Sequence, residues 1–186
     1  PGIPLVYDVE EDLTNSYLIE EYLEGESLYA LVKRLGSLSM KTAAEIGIQV
    51  CRLIQFMNTA DNPILYLDLQ PKNLLVCNGA VRLIDFDHAQ YAEDVTAFGE
   101  RYGTIGFAAP EQYRGEPLDC RTDVYAIGAL LYYMCRGEPP GNGFCLGDRS
   151  DTWELDRIIR GCMAAEKDGR YQNAGKVEQA LCELKT

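Results

Sequence analysis

An aspartate, an asparagine and a second aspartate stand at positions 68, 73 and 85 of this 186-residue chain, each beside short apolar runs. The first two belong to the segment YLDLQPKNLLV, Tyr66 to Val76, and the third to IDFD, Ile84 to Asp87. This set suits phosphoryl transfer, which needs one carboxylate near the attacking hydroxyl and oxygen ligands for Mg²⁺. In such chemistry Asp68 is the base, and Asn73 and Asp85 hold the metal.

Something must bring these side chains together. The apolar runs Leu74–Val76 and Val81–Ile84, joined by Asn78-Gly79, read as a short hairpin that fixes Asp85 beside Asn73. Upstream, Leu5–Val9 and Ser16–Glu20 are strand-like runs separated by the polar stretch Glu10–Asn15. Ser27–Leu35 reads as a short helix ended by Gly36. A longer helix runs from Ser39 to Asn58, with Ile46, Val50, Leu53, Ile54 and Met57 on one face and Ser39 as its cap. Residues 85 to 111 lack sustained periodicity. Asp119 to Arg136 is a helix apolar nearly all round, so it is expected to be buried. Asp151 to Ala164 is the next helix, capped by Asp151 with Glu154 three residues on. Asn173 to Leu184 closes the chain. The expected class is mainly α, and α+β overall.

Several segments now align with one family. With the Asp68 and Asp85 motifs, GTIGFAAPEQ (Gly103 to Gln112) resembles the end of a kinase activation segment. DVYAIGALLYYM (Asp123 to Met134) resembles the central helix of the large lobe, KDGRY (Lys167 to Tyr171) the last Arg motif, and LIEEYLEGESL (Leu18 to Leu28) the hinge. In this order the motifs resemble a eukaryotic-type (Hanks-type) Ser/Thr protein kinase of the bacterial kind. The resemblance implies remnant small-lobe strands and hinge over residues 1–25 and a helical C-terminal lobe over 26–186. Neither a Gly-x-Gly-x-x-Gly loop nor a Val-Ala-x-Lys pattern precedes Leu18. The expectation is a kinase cut just before its fourth strand, inactive as an isolated piece. The run from Gly137 to Thr152 is rich in Gly, Pro and Asp, where kinases place a further helix that helps to dock substrates; that helix is expected to be shortened or lost.

Roles follow from the resemblance residue by residue. Asp68 accepts or orients the proton of the substrate hydroxyl. Gln70 takes the place of a Lys that neutralises the transferring phosphoryl group, Leu67 that of an Arg that binds activation-segment phosphate, and Asp87 that of a Gly. Glu21 and Leu23 offer backbone groups to adenine, and Leu75 packs beneath the ring. Glu20 occupies the gatekeeper position, where an ionised carboxylate is costly if buried unpaired. Thr104 holds the substrate hydroxyl in place. Glu111 and Arg170 form a buried ion pair, and Asp123 anchors the catalytic-loop backbone. Tyr91, Thr96 and Tyr102 are candidate phosphorylation positions. The implied function is a protein Ser/Thr kinase using ATP and Mg²⁺ on a protein substrate. The alternatives are a pseudokinase that binds nucleotide or a partner and, less favoured because of the Ala-Pro-Glu element, an aminoglycoside-type small-molecule phosphotransferase.

A net charge of −12 argues against nucleic acid or an anionic membrane as partner. The seven cysteines stand at no metal-ligand spacing and read as reduced residues of a cytoplasmic protein. No apolar run reaches membrane-spanning length. Apolar strand residues at Leu5, Val6, Leu18 and Ile19 predict self-association if left uncovered.

Overall fold

The computed structural model describes residues 2–95, 103–141, 144–146 and 153–184. Strands β1 (Val6–Glu11) and β2 (Ser16–Glu20) form an antiparallel pair of their own. The turn between them is built by Asp12, whose Oδ1 accepts the N–H groups of Thr14 and Asn15 at 2.7 and 2.9 Å. These bonds hold the Asp12 carboxyl well below its usual range. A short β3 (Glu26–Ser27) leads into helix α1 (Leu28–Leu35). Ser27 caps α1 by accepting the Ala30 N–H at 3.2 Å, and Gly36 ends it at φ 81°.

Helix α2 (Met40–Asn58) is capped by Ser39, whose hydroxyl accepts the Thr42 N–H at 3.1 Å. Its apolar face, including Ile46, Val50, Cys51, Ile54 and Met57, is buried. After β4 (Ile64–Leu65) and a 3₁₀ turn at Pro71–Asn73 come β5 (Leu74–Cys77) and β6 (Ala80–Leu83). Cys77 pairs with Ala80 across the two-residue loop Asn78-Gly79, at φ 51° and 82°. Both loop residues are left-handed, as the favoured tight hairpin requires. The expected hairpin is therefore present, and β3 pairs with its outer strand to give the order β3-β5-β6.

Among the described residues, the stretch 85–111 holds a strand, and the start of a helix at Pro110, that periodicity missed. Strand β7 (Gln90–Tyr91) pairs with β4, Ile64 opposite Tyr91. Two residues are too few to show alternation. Helix α3 (Pro110–Arg114) follows, and then α4 (Cys120–Arg136). Asp119 caps α4 through the Arg121 N–H at 2.9 Å. Almost every side of α4 is buried, as its all-round apolarity predicts. Helices α5 (Trp153–Cys162) and α6 (Ala174–Cys182) pack on α4 and α2, with Asn173 capping α6 through the Lys176 N–H at 3.0 Å. The expected α5 cap, Asp151, lies outside the described residues, as does half of the run 137–152 expected to have lost a helix. One apolar core joins these helices to β5 and β6, and β6 packs against α2. The fold is helix-dominated α+β, as expected.

Candidate active site

The chain from β4 to β5 crosses the top of this core. Asp68 lies on it with only 9% of its surface exposed. Its carboxylate accepts three hydrogen bonds. Thr104 Oγ1 donates to Oδ1 at 2.8 Å, while Gln70 Nε2 and Asn73 Nδ2 donate to Oδ2, each at 2.8 Å. Asn73 Nδ2 also donates to the Asp68 carbonyl at 3.1 Å. Four residues named from sequence thus meet in one bonded group: Asp68, Gln70, Asn73 and Thr104.

The loop backbone is held from below. Asp123 on α4 accepts the Leu67 N–H on Oδ1 at 2.8 Å and the Tyr66 N–H on Oδ2 at 3.0 Å. Full burial pushes the Asp123 carboxyl up, and these N–H donors pull against that rise. Leu67 is itself buried at φ 65°, a left-handed angle that costs a branched residue about 1–3 kcal/mol. Gln112 fixes its other end by donating Nε2 to the Leu67 carbonyl at 2.9 Å. Leu67 therefore points into protein, where an Arg would have faced an anion.

Asp85 approaches from β6. The Ile84 N–H donates to the Asn73 carbonyl at 3.0 Å, and the Tyr66 hydroxyl donates to the Ile84 carbonyl at 2.5 Å. The Phe86 ring packs edge-on against Tyr66 at 5.3 Å. Asp85 is exposed and left-handed, at φ 65°. Burial, then the charges of Asp68 and Asp85, push the Tyr66 phenol well up. Asp87, sited where glycine was expected for its backbone freedom, has no positive φ; the left-handed residue is Asp85 instead. Asp87 faces solvent and donates its N–H to Asp85 Oδ1 at 3.4 Å.

Glu21 and Leu23, both half-buried, lie between β2 and β3. The Glu21 N–H donates to the Leu5 carbonyl at 2.8 Å. Leu75 lies on β5 opposite Ser27, close to the end of that segment. No hydrogen bond among the described residues links these three to the Asp68 group. Glu20 is exposed on β2, so the cost expected of a buried carboxylate does not arise. Of the candidate phosphorylation positions, Tyr91 lies on β7, while Thr96 and Tyr102 are outside the described residues.

Glu111 and Arg170 meet as a fully buried fork, with Nη1–Oε1 at 2.7 Å and Nη2–Oε2 at 2.8 Å. Thr122 adds a hydroxyl at 3.0 Å. Burial pulls the Glu111 carboxyl up, but Arg170 and Thr122 overcome it and leave the group below its usual value. Beside this fork, Asp119 accepts from Arg121 and from Lys167, whose Nζ lies 2.9 Å from Oδ2. The KDGRY segment therefore contributes two cations to the seating of α4.

Sequence reading missed Gln112, Thr122 and Asn58, the last of which donates to the Ile64 carbonyl at 2.8 Å and to Asp123 at 3.4 Å. Their chain neighbours are Glu111 and Tyr113, Arg121 and Asp123, and Met57 and Thr59, mostly polar residues, so no local pattern marked them.

A buried carboxylate carrying three donors, with a second acidic segment tied to it through Asn73, resembles the arrangement of the protein kinase fold. Residues 1–182 match the model of the protein kinase domain, and the chain belongs to that family. It is 32% identical to the serine/threonine-protein kinase PknB of Mycolicibacterium smegmatis over 97% of its own length and 33% of the relative's. Identity to PknB of Mycobacterium tuberculosis is 30%, and to a probable serine/threonine-protein kinase of Clostridium acetobutylicum 27%, each over 97% of the chain. The chain spans about a third of the length of these curated relatives.

Proposed function

We propose that this chain is the catalytic lobe of a Ser/Thr protein kinase that moves the γ-phosphoryl group of ATP to a protein hydroxyl. The observation that carries the reading is the Thr104–Asp68 bond. A threonine hydroxyl already sits on the carboxylate that a substrate hydroxyl would approach, and the same carboxylate is oriented by Gln70 and Asn73. In this reading Asp68 takes the acceptor proton on a carboxylate oxygen. Thr104 holds the incoming hydroxyl in line.

The residues fit Mg²⁺ and ATP by the chemistry of their donors. Neither Asp68 nor Asp85 has an ion-pair partner among the described residues. Asn73 spends its N–H on Asp68, which leaves its carbonyl end for a hard cation. Asn73 and Asp85 would hold the metal; Glu21, Leu23 and Leu75 would hold the nucleotide. Bound MgATP supplies the phosphoryl group and the positive charge that offsets it. Gln70 stabilises developing charge by a neutral N–H alone, so turnover should be slower than with a lysine there.

The same reading takes residues 1–25 as small-lobe strands and hinge and 26–186 as the C-terminal lobe, because β3 from Glu26 onward pairs into the sheet of the catalytic hairpin. All seven cysteines are free thiols, which fits the cytoplasm. No described helix is long and apolar enough to cross a membrane. The pseudokinase reading has no structural feature in its favour. The test is phosphate transfer by the full-length protein to a mixed peptide pool, with Asp68→Asn beside it. Mg²⁺-dependent transfer lost in the variant supports the reading, and transfer that survives in the variant overturns it.

A further inference from the structure

Two lysines converge at the lip of this site. Lys72 lies in the 3₁₀ turn between Gln70 and Asn73, both of which bond to Asp68. Lys33 lies on α1, one turn after Tyr29. Their ammonium groups sit 5.6 and 5.8 Å from the centroid of the same Tyr29 ring. Each is within cation–π reach, but two like charges gathered on one ring repel.

The acidic side chains do not relieve this repulsion. The chain has 29 carboxylate residues against 17 lysines and arginines, yet neither lysine makes an ion pair among the described residues. The acid closest to α1 in sequence, Glu26, is taken by Arg34 at 3.1 and 2.6 Å. Both lysines are exposed. An exposed cation pair left without a carboxylate in an acidic chain is a site for an external anion.

Its position says which anion. Lys72 stands between Gln70 and Asn73, both bonded to the Asp68 carboxylate, so a polypeptide with its hydroxyl at Asp68 would pass the lysine pair.

We propose that Lys33 and Lys72 recognise an acidic group on the substrate polypeptide, so that acceptor residues flanked by anionic side chains are selected; this rests on the protein kinase reading above. The group is a carboxylate or a phosphate, since both accept N–H donors from ammonium.

The test uses peptides that share one acceptor serine, flanked by glutamate, phosphoserine, alanine or lysine. Binding to the chain is read by fluorescence anisotropy, and phosphorylation is read separately with the full-length protein. Glutamate should bind about tenfold tighter than lysine, the effect of two exposed charge pairs, and the gap should close in high salt. Lys33→Glu with Lys72→Glu should reverse the order. Because the readout is a ratio, a general loss of activity does not mimic it. A phosphoserine peptide that binds well above glutamate identifies a phosphorylated partner, and equal binding identifies a carboxylate; both support the proposal. Equal binding of the glutamate and lysine peptides, or an order unchanged in the double variant, overturns it. Charge-selective binding without phosphate transfer would leave an anion-binding site at Lys33 and Lys72 but sink the kinase reading and, with it, the role in substrate selection. Transfer without charge selectivity would do the reverse.

Discussion

Asp68 and Asp123 are both buried aspartates, but their partners give them opposite tasks. Asp68 accepts side-chain donors and meets the open surface through Thr104; Asp123 accepts only backbone N–H groups and the amide of Asn58. On the proposed kinase reading, Asp68→Asn keeps an acceptor oxygen but loses the base, so kcat of the full-length protein should fall by about 10²–10⁴, measured as labelled phosphate transfer. Asp123→Ala should act on folding instead. It strands the Tyr66 and Leu67 N–H groups, at about 1–3 kcal/mol each, and a urea titration should show the loss. The Asp68, Asn73 and Asp85 identities were legible because the spacing is local. Leu67 was legible as an odd residue but not as a left-handed one, because its angle is imposed by Asp123 and Gln112 from other elements.

Between elements, two contacts decide stability. Glu111 of α3 and Arg170 after α5 form the buried fork, and Glu111→Ala should cost about 3–5 kcal/mol by leaving a buried guanidinium unpaired. The folded Glu111 carboxyl titrates below its unfolded value, so its contribution is fully present above the unfolded value near 4.5 and is lost as pH falls through the folded one. Acid unfolding followed by circular dichroism should therefore be less steep below pH 4.5 in Glu111→Gln than in the parent, after allowing for its lower starting stability. The second contact is Gly128 on α4. Helix propensity alone says that Gly128→Ala gains about 1 kcal/mol. Packing says otherwise: the new methyl would lie 2.5 Å from the Cys162 Cβ and 2.7 Å from the Met163 side chain. The clash should win and lower stability by about 1–3 kcal/mol in the same urea assay. Helix boundaries were readable to within a residue or two from Ser27, Ser39, Asp119 and Asn173, because a cap is a local bond. The β4–β7 pair was not, since each strand owes its existence to the other.

Over the whole molecule, the contrast is between a well-filled helical body and an open β1–β2 hairpin. Leu5, Val6, Tyr7, Val9 and Leu18 are each more than half exposed, and among the described residues no third strand covers either edge. We propose that two copies of the chain associate through this hairpin. Sedimentation velocity should show a concentration-dependent dimer, and Val9→Lys with Leu18→Lys should return it to monomer. A dimer unchanged in that variant would place the interface elsewhere.

The sequence alone determined the family, the helix caps, the hairpin turn and the identities of the acid–amide–acid set, because each is written in residues a few positions apart. Tertiary structure decided what those residues touch. The family resemblance names the roles of Thr104, Asp123 and the Glu111–Arg170 pair, but only packing brings Thr104 to Asp68 across 36 positions, Asp123 to Leu67 across 56 and Arg170 to Glu111 across 59. Packing also gathered Lys33 and Lys72 on one ring. Such contacts depend on how helices and strands pack around a shared core, and no local pattern in the chain encodes that distance.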